Sequence, residues 1–222
     1  MKQAKPFFRR YWRVDLPYEQ HVVRYGEEWK KLVEAGAVFV YPTETVYGIG
    51  CNPFNEESVR RIFRVKGRPE SRPLLLVAEN ISSARRAFRK WPECAEAIAS
   101  KFWPGAVTVI LPAAASIPDV VHAGTGNVAV RVSPHPIARF LASAAKGLFV
   151  STSANLSDRP PIGSPSELSE SMIEVIDAVI DAGPLDNSLT STIIDCSEGF
   201  PRLIRKGAVP FSEILRSTGT EL

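Results

Sequence analysis

The sequence predicts an α/β protein of one domain, a twisted mixed β-sheet with helices packed on it. Short apolar runs rich in β-branched and aromatic residues recur along the chain, each stopped by proline, glycine or a polar cluster. Stretches with helical apolar spacing separate them, and interleaved strands and helices are the mark of this fold class. The chain has 222 residues, 45% apolar and 23% charged, which suits one core of ordinary globular composition.

Taken in order, residues 26–35 place Trp29, Leu32 and Val33 on one helical face, with Gly36 suited to the position after the helix. Ala37-Val38-Phe39-Val40-Tyr41 reads as a buried strand stopped by Pro42. Asn55 caps a helix whose first turn carries Glu56 and Glu57, whose inner face carries Val59, Ile62 and Phe63, and which ends near Lys66-Gly67. Leu74-Leu75-Leu76-Val77 is a second strand and residues 80–90 a further helix. Val107-Thr108-Val109-Ile110-Leu111 and Val128-Ala129-Val130-Arg131-Val132 are strands. Ile137, Phe140, Leu141 and Ala144 form an amphipathic helix closed by Gly147. Leu148-Phe149-Val150 is a strand running into Ser151, and Ser164-Pro165-Ser166-Glu167 has the form of a capping box. Strands near residues 178–180, 192–195 and 203–205 complete the set.

No apolar run reaches the roughly 20 residues of a membrane helix, and the basic residues 1–5 lead into no signal-type segment. Cys51, Cys94 and Cys196 lie far apart, which fits reduced thiols in a cytoplasmic protein. The net charge is +3, yet ten basic residues against Glu70 and Glu79 fall between Arg60 and Lys90. Such a run is either a solvated helix face or a surface for phosphate and nucleic acid, and composition does not choose.

Three strands border segments dense in hydroxyl and amide side chains: residues 42–50, residues 151–157 and residues 188–192. Each alone reads as a turn, but ligands of open α/β sheets gather where such loops converge. Cations accompany them: Lys66, Arg68 and Arg72 near a helix end, Arg131 inside an apolar strand, and Arg205 in Leu203-Ile204-Arg205. Arg131 must face solvent, pair with a carboxylate, or receive an anion. The chain has neither G-x-x-x-x-G-K-[ST] nor G-x-G-x-x-G. His21, His122 and His135 lack metal-ligand spacing, and Cys51 has no histidine near it in sequence.

Read together, Tyr41-Pro42-Thr43-Glu44-Thr45-Val46-Tyr47-Gly48-Ile49-Gly50, Lys66-Gly67-Arg68-Pro69, Trp103-Pro104-Gly105-Ala106-Val107-Thr108, Val128-Ala129-Val130-Arg131, Ser151-Thr152-Ser153-Ala154-Asn155-Leu156-Ser157 and Ser191-Thr192-Ile193-Ile194-Asp195 resemble the YrdC-type threonylcarbamoyl-AMP synthases. The resemblance runs from Gly26 to Gly207, in its short single-domain form. It implies a YrdC-like catalytic domain over residues 26–209, an N-terminal extension over 1–25 and a tail over 210–222.

By resemblance the sheet bears a positively charged concave surface, and the reaction joins L-threonine, bicarbonate and ATP into threonylcarbamoyl-AMP and pyrophosphate. The matched positions imply Lys66 and Arg68 as catalytic cations, with Arg72, Ser153, Asn155 and Arg205 also on ATP. Thr43, Thr45, Arg131, Ser151 and Ser191 are implied around threonine. Arg72 and Ser71 depart from the asparagine and aspartate of many relatives. Mg²⁺ is expected with ATP, its protein ligands unknown. The product is expected to pass to a tRNA threonylcarbamoyl transferase, with direct RNA binding on the basic surface a further expectation. The rival reading is an RNA-binding module of the same fold, which saturable L-threonine binding would exclude.

Overall fold

The computed structural model describes residues 9–157, 159–185 and 189–219. Of the segments singled out above, residues 1–8 of the N-terminal extension, Ser188 and residues 220–222 of the tail lie outside them. The chain opens with β1 (Arg10–Arg13), α1 (Tyr18–Glu34), β2 (Phe39–Tyr41), β3 (Gly48–Gly50) and α2 (Glu56–Lys66). It continues through β4 (Leu75–Ala78), α3 (Ile81–Arg86), α4 (Glu93–Phe102), β5 (Val107–Pro112), α5 (Asp119–His122) and β6 (Asn127–Val132). Next come α6 (Pro136–Ala144), β7 (Leu148–Val150), β8 (Thr152–Ser153) and a 3₁₀ turn at Pro165–Glu167. The last elements are α7 (Glu170–Ile173), β9 (Ala178–Asp181), β10 (Thr192–Asp195), β11 (Arg202–Arg205) and α8 (Phe211–Ser217).

The α/β class holds, but the expected one sheet is two, both mixed. One has the order β1-β9-β2-β3-β8 and the other β11-β10-β5-β6-β4-β7. The chain passes between them at Ser151, the residue that separates β7 from β8. A strand reading based on apolar runs finds β2, β4–β7 and β9–β11, misses the short β1, β3 and β8, and does not show which neighbours a strand takes, so the division left no trace in the pattern. Along β6, Val128, Val130 and Val132 enter the main core, while Ala129 and Arg131 face the other way and line a cavity. In one row across that sheet, Ile110 of β5 pairs with Ala129, and Leu75 of β4 pairs with Ala129 on its other side. All three line the same cavity.

Helix α1 begins at Tyr18, ahead of the expected residue 26. Extended Pro17 stands before it, and Tyr18, Val22, Tyr25, Trp29 and Val33 form one stripe against α6. Complete burial of Trp29 and Val33 contributes roughly 1.5–3 kcal/mol per large side chain, which outweighs the charged residues on the outer face. Strand β1 pairs in parallel with β9, from Arg10 with Ala178 to Arg13 with Asp181. Residues 10–13 therefore pack on the domain.

The helix expected over residues 80–90 stops at Arg86. Asn80 caps it, accepting from the Ser83 amide at 2.8 Å, but Phe88 leaves the helix to bridge Ala113. The capping box at Ser164 opens a 3₁₀ turn instead of an α-helix, and Glu167 reaches the Gly163 amide at 3.1 Å.

Candidate active site

The site lies where the two sheets meet. Thr43 folds the loop between β2 and β3: its hydroxyl donates to the Val46 carbonyl at 2.6 Å and accepts from the amides of Thr45 and Val46 at 3.1 and 3.2 Å. The Thr43 and Thr45 hydroxyls lie 3.0 Å apart. Helix α2 brings Lys66 to the same place and ends there because Gly67 takes the left-handed conformation, φ 58°. The Lys66 ammonium donates to the carbonyls of Ser153 and Asn155 at 2.5 and 2.6 Å and to Asn155 Oδ1 at 3.3 Å. The helix end is thereby tied to the loop after β8, and the Ser157 amide returns a bond to the Lys66 carbonyl at 2.9 Å. Arg68 turns back on its own loop, donating to the carbonyls of Arg72 and Pro73 at 3.2 and 2.8 Å.

The second wall comes from the six-stranded sheet. Arg131 is buried on β6 and forms an ion pair with Glu44, whose other oxygen accepts from the Ser133 hydroxyl. On the far side Arg205 donates to the Ser191 carbonyl at 2.8 Å and to its hydroxyl at 3.2 Å, and Thr108 stands 2.8 Å behind that hydroxyl. Gly207 makes this crossing possible. A Cβ there would come within 2.4 Å of the backbone at Thr190, Ser191 and Thr192.

These walls enclose a cavity of about 380 Å³. Thr43, Thr45, Lys66, Arg68, Arg72, Arg131, Ser151, Ser153, Asn155, Ser191 and Arg205, the eleven residues singled out from the sequence, all line it. Sequence reasoning missed its apolar floor of Leu75, Ile110, Ala129 and Ile193, although two-residue alternation along each strand carried the signal. It also missed Glu44, which lies in plain view between Thr43 and Thr45.

Five basic side chains line the cavity, and no aspartate or glutamate does so among the described residues. Burial, followed by the charge of Arg68, pushes the Lys66 ammonium down to about 7. Burial draws the Arg131 guanidinium down to about 10 and lowers Arg205 as well. Charges held in this way attract anions more strongly than charges in water. The arrangement can neutralise a polyanion beside a small polar molecule, using fixed donors and no covalent nucleophile.

The remaining candidates have other work. Burial pushes the Cys51 thiol up, out of the reactive range. His135 caps α6 by accepting from the Ile137 amide, and burial holds it down to about 4. The basic run divides. Arg60 pairs with Glu56, Arg61 with Asp177, Arg64 with Glu57 and Arg85 with Glu96, whereas Lys66, Arg68 and Arg72 turn to the cavity. Among the described residues, no group of three or more His, Cys, Asp or Glu side chains is placed to hold a metal ion. No described helix is long and apolar enough to cross a membrane.

A family model named Sua5_yciO_yrdC and described as telomere recombination matches residues 31–207. The threonylcarbamoyl-AMP synthase of Pyrococcus abyssi is 37% identical over 198 residues, covering 87% of this chain and 58% of that protein. Its Bacillus subtilis counterpart of the same name is 34% identical over 187 residues, covering 82% and 53%. The chain thus spans little more than half the length of these two relatives. A crystal structure of P. abyssi Sua5 complexed with L-threonine aligns with a TM-score of 0.86 at 34% identity, covering 94% of this chain and 61% of that one.

Proposed function

The chain belongs to the Sua5/YciO/YrdC family, and from that premise we propose that it is a threonylcarbamoyl-AMP synthase serving tRNA adenosine modification. The observation that carries this reading is the convergence of the eleven residues on one cavity, although they come from well-separated parts of the chain.

In this reading the Arg131 fork takes the threonine carboxylate, and Thr45, Ser151 and Ser191 hold its polar groups within the frame that Thr43 folds. The threonine amine attacks bicarbonate, losing water to give a carbamate. A carbamate oxygen then forms a bond to the α-phosphorus of ATP, and the bond to the β-phosphate oxygen breaks to release pyrophosphate. Lys66, Arg68, Arg72 and Arg205 neutralise the phosphates, with Ser153 and Asn155 at the same wall. Lys66, Arg68 and Arg205 are fixed before the reaction by bonds to the protein frame, so charge development requires little reorganisation. The apolar floor limits water near a labile carbamate.

Among the described residues no carboxylate set is placed to hold a metal, and Mg²⁺ carried on the ATP phosphates would supply further charge neutralisation there. The product is a reactive mixed anhydride suited to immediate transfer, and its consumer is a tRNA threonylcarbamoyl transferase in the cytoplasm. Exposed Arg86, Arg89 and Lys90 carry any salt-dependent contact to tRNA phosphates.

The test incubates purified protein with ATP, L-threonine and bicarbonate and follows pyrophosphate and the adenylate by mass. Both products are expected only when all three substrates are present. Turnover that ignores threonine or bicarbonate would reject the chemistry.

A further inference from the structure

Arg131 differs from Lys66 and Arg205 in the charge of its partner. Lys66 and Arg205 donate to carbonyl, amide and hydroxyl oxygens, which leave their positive charge uncancelled. Arg131 meets a carboxylate. Glu44 and Arg131 are both largely withdrawn from solvent, with side-chain exposures of 17% and 6%. Glu44 is itself anchored through Ser133, whose hydroxyl also accepts from the His135 amide at 3.1 Å where α6 begins. The carboxylate is therefore fixed from the β2–β3 loop on one side and from the end of β6 on the other.

This arrangement addresses a problem that any cavity holding both an amino acid and a polyphosphate must solve. Five cations line the cavity, and a polyphosphate out-competes a single carboxylate for an uncommitted guanidinium. A cation already paired with a buried carboxylate presents little net charge but keeps unused N–H donors in a fixed fork. Such a fork still binds a carboxylate by directed hydrogen bonds, while the polyphosphate goes to the cations with neutral partners.

We propose that Glu44 is a positioning residue that divides the cavity by charge, holding Arg131 as a nearly neutral fork for a monocarboxylate and keeping it from the polyphosphate. The inference rests on the functional reading above and deepens it.

The experiment is a calorimetric titration of L-threonine into the full chain, with and without inorganic pyrophosphate. In the unaltered chain, pyrophosphate should leave threonine affinity unchanged. Glu44→Gln preserves the shape and removes the charge. It should weaken threonine about tenfold or more and make threonine binding sensitive to pyrophosphate, as Arg131 turns to the larger anion. A Glu44→Gln/Arg131→Ala double variant should match Arg131→Ala and lose that sensitivity, because the effect of Glu44 passes through Arg131. A merely structural loss would lower the melting temperature without creating competition between the two ligands.

Should Glu44→Gln fail to fold, Ser133→Ala keeps the carboxylate but loosens it, and a smaller shift in the same direction is expected. Threonine binding by the folded Glu44→Gln protein, or failing that by Ser133→Ala, that equals the unaltered chain's in both conditions would overturn the proposal. An unaltered chain that binds no threonine at all would instead overturn the functional reading, and this inference with it.

Discussion

Lys66 combines two demands that conflict in water and are reconciled here. It must be charged to meet phosphate, yet burial beside Arg68 brings its proton affinity down to about 7 from the ordinary 10.5. A bound polyanion favours the ammonium, so pyrophosphate binding at pH 8 should take up a proton, and affinity should fall as pH rises above about 7. Titration calorimetry in buffers of different ionisation heat would measure the uptake, and Lys66→Met should abolish it. Stability runs the opposite way: between about pH 7 and 10.5 the unfolded chain holds more protons at this site, so stability rises with pH there. Arg68→Ala should remove most synthesis while leaving the fold intact, because its guanidinium bonds to the Arg72 and Pro73 carbonyls of its own loop. Arg131→Ala should chiefly weaken threonine, read as an increase in its KM.

Among the elements, the crossing of residues 206–208 over residues 190–192 sets one wall of the site. Gly207→Ala would press a methyl group to 2.4 Å from backbone atoms that cannot swing away. The segments should part at a cost of about 1–3 kcal/mol, moving Ser191 and Arg205 and lowering activity along with stability. Asn55→Ala gives the contrast. It removes the cap that accepts from the Ser58 amide at 3.1 Å and should cost about 1 kcal/mol with turnover unchanged. Denaturant unfolding paired with pyrophosphate release would separate the two variants. Strands β2, β4–β7 and β9–β11, with α2 and α6, were legible in the sequence because apolar spacing and capping residues act locally, as at Asn55 and Gly67; the short β1, β3 and β8 were not. The site was legible too, through the hydroxyl-rich loops at strand ends, the cations near them, and the family resemblance that joined them. The division into two sheets was not, nor was the early start of α1, because both depend on partners distant in the chain. Glu44 escaped for a related reason: only the fold brings Arg131 and Ser133 to it.

Across the whole molecule, Asp181 joins the first strand to the β2–β3 loop. It takes bonds from Tyr11, Arg13 at 2.8 Å and the Gly183 amide at 2.8 Å, while Tyr47 donates to the Gly183 carbonyl at 2.7 Å and accepts from the Ala182 amide at 2.9 Å. Tyr47 belongs to the β2–β3 loop that Thr43 folds, so β1 braces the site through β9 without touching the cavity. Burial alone would raise the Asp181 carboxyl, but the hydrogen bonds from Tyr11, Gly183 and Arg13 outweigh it and hold the group below its ordinary 3.8. The stabilisation it contributes is therefore complete above about pH 4 and is lost as pH falls through the lowered value. Asp181→Asn should flatten the acid limb of the stability profile below about pH 4, measured by thermal unfolding at a series of acid pH values. Deleting residues 1–14 removes the same brace together with buried Trp12 and Val14, worth roughly 3–6 kcal/mol for the two side chains. On a chain of this size that lowers the melting temperature by about 6 °C or more. The loop framed by Thr43 should loosen with it, so threonine KM should rise in the truncated protein even at temperatures where it remains folded. A truncated chain with unchanged melting temperature and unchanged threonine KM would show that β1 braces nothing.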